Sequence, residues 1–460
     1  MCSTNGLFRN LSKSINSLRL LPNLWVHLHL SCSPSPESDS DGAGAAANQL
    51  ESCADPSLLL RLHSQMLRNH FLRSPFHWNA LIRAYLRLAS PRAALLLFIQ
   101  MSRSGSSPDS YTLPIIFKAI SHSFMLVTGR QLHSLSIKHG LELNEYCNSG
   151  LINIYAKAGE FDNALKVFDK SSERKLGSWN AIINGLAQGG HSKEAIRFFV
   201  QLRRSGLVPD DVTMVSVASA CGSYGDLSLA QQVHKCMLQA QSLERLSIMR
   251  LNSLVDMYSK CGRTDLSLKV FDKMPGRDVS SWTSMIMGLA TQGEAKHALE
   301  HYDRMVQEGV RPNQVTFVAV LTACAHAGLA DEAVAYFDAM MERYGIEPMV
   351  AHYGCMVDVL GRVGRVEEAK KMVEGMPMRG NAVIWGTMLG ACERYGKVEI
   401  GEWVAGKLLE LEPWNDGVYV VLSNIYAACG MWAEVERVRR LMWERRVVKT
   451  PGFSAATNSN

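Results

Sequence analysis

The sequence dictates an all-α fold, a right-handed α-solenoid superhelix of helix-turn-helix repeats. Three observations carry that expectation. Segments of the 460-residue chain recur in phase at spacings of 101 and 103 residues. Within each segment apolar residues recur at helical spacing, and glycines and prolines punctuate them. No segment sustains the two-residue alternation of a strand.

The repeats come in three families. HWNALIRAY (77–85), SWNAIINGL (178–186) and SWTSMIMGL (281–289) define the first, and SGSSPD (104–109), SGLVPD (205–210) and EGVRPN (308–313) follow them at the same spacing. In the second, SGLINIYAKAGEFDNALKVFD (149–169) matches NSLVDMYSKCGRTDLSLKVFD (252–272), and CMVDVLGRVGRVEEAKKMV (355–373) continues it. The third holds LHSLSI (132–137) and VHKCML (233–238), with RLHSQML (61–67) about one repeat earlier. The superperiod divides into 35, 35 and 31 residues, giving the frames 75–109, 110–144, 145–175, 176–210, 211–247, 248–278, 279–313, 314–349 and 350–381. Two extra residues in 211–247 lengthen one spacing to 103.

Each frame reads as two helices. In 176–210, Trp179, Ile182, Ile183 and Leu186 form one helical stripe, and Gly189 and Gly190 break the chain. Ala195, Ile196, Phe198, Phe199 and Leu202 form the second stripe, which Gly206 and Pro209 end. One such hairpin leaves its apolar face uncovered, whereas stacked neighbours cover each other. Trp179 and Trp282 fall in these stripes and are expected in the core.

Composition narrows the class. Hydrophobic residues at 47% and charged residues at 20% exclude global disorder. The net charge of +5 is too small to establish a polyanionic partner. The apolar stretch 18–30 is interrupted by Arg19 and Pro22, and nothing approaches the roughly 18 apolar residues of a membrane span. Eleven cysteines are scattered singly with no C-x-x-C pair, which fits neither a disulfide framework nor a zinc site. Cys221, Cys324 and Cys392 end similar strings and are expected as small buried helix residues. Residues 1–36 hold Arg9, Lys13 and Arg19 and no acid, and are rich in Ser and Leu. That is the composition of an organelle transit peptide. The stretch 33–47 is expected as a flexible linker.

The helix openings S-W-N-A-I-I, the endings R-S-G-L-V-P-D and the middles K-x-G-x-x-x-x-A-L-K-V-F-D resemble plant pentatricopeptide repeats. The alternation of repeat lengths resembles the PLS class of that family. The likeness covers roughly residues 61–449. WGTMLGACERYGKVEIGEWVAGKLLELEPWN (385–415) and YVVLSNIYAACGMWAEVERVRRLMWERRVVKTPG (419–452) resemble the paired E motifs of the editing-factor branch. The sequence ends at FSAATNSN, without the DYW deaminase domain of many relatives. The expected organisation is a transit peptide and linker (1–46), a partial degenerate repeat (47–74), nine repeats of P, L and S type (75–381), E-type motifs (382–449) and a short tail (450–460).

The resemblance implies that each repeat reads one base of single-stranded RNA through its fifth and last residues. Asn79 with Asp109, Asn180 with Asp210 and Asn252 with Asp278 resemble the pair that favours pyrimidines, mostly U. Thr283 with Asn313 resembles the pair that favours A. The remaining frames offer Pro114 with Asn144, Ser149 with Lys175, Val215 with Ser247, Val318 with Met349 and Gly354 with Asn381. No base is assigned to them. The same Asp and Asn residues are also ordinary helix-capping choices. In the family the protein and RNA run parallel, with the last repeat about four nucleotides from the edited C. The implied target is 5′-Y-n-n-Y-n-Y-A-n-n-n-n-n-C-3′.

Catalysis is not expected. A zinc deaminase needs H-x-E and P-C-x-x-C, and neither string occurs. GACERYGK (390–397) resembles a phosphate loop only superficially. His133 and His234 occupy equivalent repeat positions and read as structural. No cofactor or metal is implied. The expected partners are single-stranded organelle RNA, a DYW-type deaminase acting in trans and editing helper proteins, with no membrane and no DNA. The expected role is site recognition for C-to-U editing, in a mitochondrion or alternatively a plastid. An organelle RNA stability, splicing or translation factor is the second reading, and a protein-interaction scaffold the third.

Overall fold

The computed structural model describes residues 40–449 apart from 73, 89, 124–125, 142–143, 172–173 and 241–244. The transit-peptide reading of residues 1–36 falls outside the described residues. Among those described, every regular element is a helix. The chain divides into two compact units, Met1–Tyr224 and Gly225–Asn460.

The first unit opens with α1 (Ser40–Ser52) and α2 (Pro56–Arg68). Four hairpins follow: α3 (Pro75–Arg87) with α4 (Pro91–Arg103), α5 (Thr112–Ser123) with α6 (Leu126–Lys138), α7 (Glu145–Lys157) with α8 (Phe161–Lys170), and α9 (Leu176–Gln188) with α10 (Ser192–Arg204). Helix α11 (Asp211–Tyr224) closes this unit. The second begins with α12 (Leu227–Ala240) and continues as α13 (Ile248–Lys260) with α14 (Thr264–Asp272), α15 (Val279–Thr291) with α16 (Ala295–Gln307), and α17 (Gln314–Ala327) with α18 (Ala330–Glu342). It ends with α19 (Val350–Arg362) and α20 (Val366–Glu374), α21 (Ala382–Tyr395) and α22 (Val398–Leu411), and α23 (Asp416–Ala428) and α24 (Trp432–Glu444).

Within each unit the odd-numbered helices pack on one another in order and form one layer. Each even-numbered helix with a hairpin partner in its own unit packs on that partner, and all but the last pack on the next odd helix, forming the other. This is the all-α repeat solenoid. First helices start at residues 75, 145, 176, 211, 248, 279, 314 and 350, the opening residues of eight frames; in frame 110–144 the helix starts two residues later, at Thr112.

The amphipathic stripes set the layers. Trp179, Ile182, Ile183 and Leu186 on α9 are buried, as are Ala195, Phe198, Phe199 and Leu202 on α10, while Ile196 is half-buried. Each such side chain contributes on the order of 1.5–3 kcal/mol when fully buried. Trp179 sits edge-on to Phe168 at 4.8 Å and Trp282 edge-on to Phe271 at 4.9 Å. Both tryptophans are therefore core residues. Cys221, Cys324 and Cys392 are buried on α11, α17 and α21. GACERYGK lies on α21 up to its left-handed C-cap Gly396 (φ 60°), a helix end and not a phosphate loop.

Neighbouring first helices approach closely at equivalent glycines. A Cβ on Gly185 would lie 2.3 Å from the Ala156 Cβ, and one on Gly288 would lie 2.2 Å from the Ser259 Oγ. Only hydrogen fits there.

The linker expectation for 33–47 needs correction over its second half. Residues from Ser40 onward belong to α1, and Ala46, Ala47 and Leu50 are buried. Alanine is the strongest helix former, and α1 gains a partner in α3. Arg87 also donates to the Leu50 carbonyl at the end of α1. A composition that reads as a linker in isolation thus becomes a helix once a neighbour covers it.

Candidate nucleic-acid interface

The polar pairs arise from the turn between hairpins. Asn79, Asn180, Asn252 and Thr283 are the fifth residues of α3, α9, α13 and α15. The last residue of each frame stands at the start of the next first helix. Asp278 and Asn313 are the N-caps of α15 and α17, and Asp210 directly precedes α11. Asp109 stands three residues before Thr112, in the loop leading to α5.

Capping and pairing are performed by the same carboxylate. Asp109 Oδ1 accepts from the Thr112 and Tyr111 backbone N–H groups at 2.7 and 2.9 Å. Asp210 Oδ1 accepts from Thr213 N–H at 2.9 Å, and Asp278 Oδ1 from Ser281 N–H at 2.8 Å. Each carboxylate also holds the asparagine of the preceding helix. Asn79 Nδ2 donates to Asp109 at 3.1 Å, Asn180 Nδ2 to both oxygens of Asp210 at 3.0 and 3.1 Å, and Asn252 Nδ2 to Asp278 at 3.3 Å. Two carboxylate oxygens carry more acceptor sites than a cap consumes, so the two roles do not compete.

Burial pushes the three carboxyls up, but the capping N–H groups, the Thr or Ser hydroxyls and the asparagine amides outweigh it and hold all three below the usual range. They are ionised at neutral pH. Their charge fixes each amide with its NH2 toward the acid and its Oδ1 turned away. Asn79 Oδ1 and Asn252 Oδ1 are buried without a hydrogen-bond partner.

The fourth pair differs. Thr283 and Asn313 make no direct bond. Thr283 Oγ1 lies 2.8 Å from Thr316 Oγ1, which lies 3.0 Å from Asn313 Oδ1. The two are joined through a third residue. In three of the other frames the last residue caps without a partner at position five, whereas Lys175 and Met349 make no side-chain cap. Asn144 accepts from Cys147 N–H at 3.1 Å, Ser247 from Arg250 N–H at 3.3 Å and Asn381 from Ile384 N–H at 3.0 Å. The fifth residues Pro114, Val215, Val318 and Gly354 have no polar side-chain atom, and Ser149 Oγ is buried without a partner.

A second row was missed in the sequence. Phe76, Tyr111, Tyr146, Val212, Met249 and Val315 are the second residues of their frames, and all are exposed. Each stands three residues before the fifth position, and all but Tyr111, which precedes α5, lie on the same helix face. The signal was available, because these apolar residues fall outside the buried stripe at positions four, seven, eight and eleven.

His133 Nδ1 bonds the Tyr155 hydroxyl at 2.9 Å and His234 Nδ1 bonds that of Tyr258 at 2.8 Å. They are structural repeats, as their spacing implied. Among the described residues no helix is long and apolar enough to cross a membrane.

Stacked helical hairpins, four of which join their fifth residue to the cap of the next, define an all-α helical-repeat protein. Residues 73–122, 174–223 and 277–326 match the PPR repeat family, residues 302–363 the pentatricopeptide repeat domain, and residues 149–176, 251–279 and 351–381 the PPR repeat. Residues 395–456 match the E motif. A mitochondrial pentatricopeptide repeat-containing protein of Arabidopsis thaliana is 50% identical over 416 residues, covering 90% of this chain and 89% of the relative. Another from Arabidopsis thaliana, named chloroplastic/mitochondrial, is 41% identical over 402 residues, covering 85% of this chain and 62% of the relative. The chain belongs to the pentatricopeptide repeat family. Among solved structures, the pentatricopeptide repeat protein PPR10 from maize superposes with a TM-score of 0.56 at 18% identity, over 96% of this chain and 70% of that one. That likeness establishes the shared fold.

Proposed function

We propose that this protein binds one organelle single-stranded RNA by sequence and acts as the site-recognition factor for C-to-U editing. The observation that carries the reading is the recurrence of one Asn–Asp hydrogen bond at one repeat position, in frames 75–109, 176–210 and 248–278. Each amide spends one hydrogen on its acid. The other hydrogen and Oδ1 complement the O4 and N3–H of uracil, or the N3 and N4–H of cytosine. The partnerless Oδ1 atoms of Asn79 and Asn252 lack the donor that a base edge supplies. The exposed second-position row offers apolar and aromatic faces against which bases stack.

Repeats that select but do not react need the chemistry from elsewhere. The E region (382–449) is assigned to recruit a DYW-type deaminase and editing helpers. Trp414, Trp432 and Trp443 stand 72%, 69% and 79% exposed in that region, a cost in water that a docked protein removes. The E-motif match over 395–456 supports the same role. The mitochondrion is the compartment favoured, in line with the name of the relative that is 50% identical.

Binding assays on RNA carrying 5′-Y-n-n-Y-n-Y-A-n-n-n-n-n-C-3′ test the recognition half. Changing all four coded nucleotides should weaken binding by about 10³-fold, at about 1 kcal/mol for each pair. Equal affinity for both RNAs sinks the frame assignment. Sequencing organelle transcripts from a plant lacking the protein tests the editing half. Loss of conversion at a site preceded by the pattern supports it. Intact editing with altered abundance or splicing of one transcript replaces it with the second reading.

A further inference from the structure

We propose that Thr316 is a positioning residue for base choice, transmitting the acceptor strength of residue 313 to the hydroxyl of Thr283. The inference rests on the RNA-reading role proposed above. It concerns the third residue of the following repeat, which neither the fifth nor the last position includes.

The geometry comes from four equivalent turns. In each, a Thr or Ser three residues after the cap accepts the cap's own N–H: Thr112 from Asp109 at 3.1 Å, Thr213 from Asp210 at 3.2 Å, Ser281 from Asp278 at 3.2 Å and Thr316 from Asn313 at 3.2 Å. Its lone proton is then left for one acceptor. Where the cap is Asp, the hydroxyl stands 2.8, 2.8 and 2.9 Å from the carboxylate. A carboxylate is the stronger acceptor and takes that proton at Thr112 and Ser281, while at Thr213 the Asn180 Oδ1, 2.5 Å away, shares it with Asp210. At Asn313 the balance changes. The Thr316 hydroxyl stands 2.8 Å from Thr283 Oγ1 and 3.0 Å from the neutral amide oxygen. Thr316 is fully buried, so no water competes for its proton.

Donation from Thr316 to Thr283 sets the polarity of the fifth residue. Thr283 Oγ1 accepts from behind and keeps its own proton for the base. A donor in that place complements N1 of adenine, an acceptor, and opposes N1–H of guanine. A carboxylate at 313 would draw the Thr316 proton away. Thr283 would then donate inward to Thr316 and present a lone pair, which suits guanine. Contact with the preceding fifth residue is not a fixed consequence of the turn. Thr213 reaches Asn180 Oδ1 at 2.5 Å, whereas Asn79 Oδ1 and Asn252 Oδ1 stay without partners beside Thr112 and Ser281.

The test is a double-mutant cycle on the full chain, read as the ratio of affinities for two RNAs that differ only by A or G at the nucleotide facing frame 279–313. Wild type should prefer A. Asn313→Asp should lower the A-over-G ratio by about fivefold or more, the worth of one net hydrogen bond. That shift should vanish in the Thr316→Val background and survive in Thr316→Ser. Thr283→Val leaves the cap untouched and should also remove it, which keeps the test decisive if Thr316→Val fails to fold. An Asn313→Asp shift of full size in either Val background overturns the proposal while leaving RNA recognition standing. A wild type without preference at this nucleotide overturns the recognition reading and this proposal together.

Discussion

His63 Nδ1 lies 2.9 Å from the Tyr85 hydroxyl, tying α2 to the first helix of the next hairpin. The same bond ties α6 to α7 through His133 and Tyr155, and α12 to α13 through His234 and Tyr258. The ring of His63 also stands edge-on to Tyr85 at 5.6 Å. A tyrosine hydroxyl and an imidazole nitrogen thus satisfy each other inside an otherwise apolar seam.

That seam should weaken in mild acid. Burial lowers the His63 pKa from 6.5 to about 4. Between those values the unfolded chain binds a proton that the folded chain refuses, so stability rises with pH across that window. Acidifying from pH 7 to 5 should cost on the order of 2 kcal/mol at this site. Burial also lowers His234. The urea midpoint of the intact chain, followed at both pH values, should fall on acidification, and His63→Gln should reduce the fall. An unchanged pH dependence in that variant would show that His63 titrates freely.

The close approach of first helices predicts a second stability effect. Ser259, which a Cβ on Gly288 would strike, is itself buried and held by Ser267 at 2.9 Å. It has no room to turn away. Gly288→Ala should therefore cost about 1–3 kcal/mol through overpacking, although alanine is the better helix former. Gly185→Ala, against Ala156, should behave alike. Chemical denaturation of each variant measures this, and a gain in stability would mean that the α13–α15 and α7–α9 spacings relax freely.

Much of the layered fold was legible because two signals agreed. The period placed first helices to within two residues, and the stripe Trp179, Ile182, Ile183 and Leu186 gave the buried face of α9. Helix α1 was not legible. Its Gly- and Ala-rich sequence carries no stripe of its own, and its order comes from α3 and Arg87. At the candidate site, spacing located Asn79, Asn180 and Asn252, but position alone did not distinguish a cap from a paired acid. Thr316 stayed invisible because its part depends on a contact 33 residues away. The exposed row at position two was readable in principle, from apolar residues out of phase with the core.

Tyr146 tests that row. It is exposed on the first turn of α7, so little folding energy rides on it. Tyr146→Ala should leave the denaturation midpoint nearly unchanged and weaken RNA binding by about 1–3 kcal/mol, the range of one base–aromatic stack. The loss should be similar for any base facing frame 145–175, because every base offers a π-face. Unaltered affinity would place the RNA elsewhere on the solenoid.

The C-terminal tryptophans separate recognition from recruitment. Trp432 and Trp443 lie eleven residues apart on α24, about three turns, and so project from one side of it. The hairpin core beneath is built by Tyr419, Tyr426, Val435 and Val438, to which neither tryptophan belongs. Trp432→Ala with Trp443→Ala should thus change stability by no more than about 0.5 kcal/mol for each site. If α24 docks the deaminase, the double variant should bind the target RNA as tightly as wild type and fail to restore editing in a plant lacking the protein. Removal of residues 382–452 should give the same split. Restored editing would move recruitment off this helix, and a loss of RNA affinity would make the E region part of the reading surface.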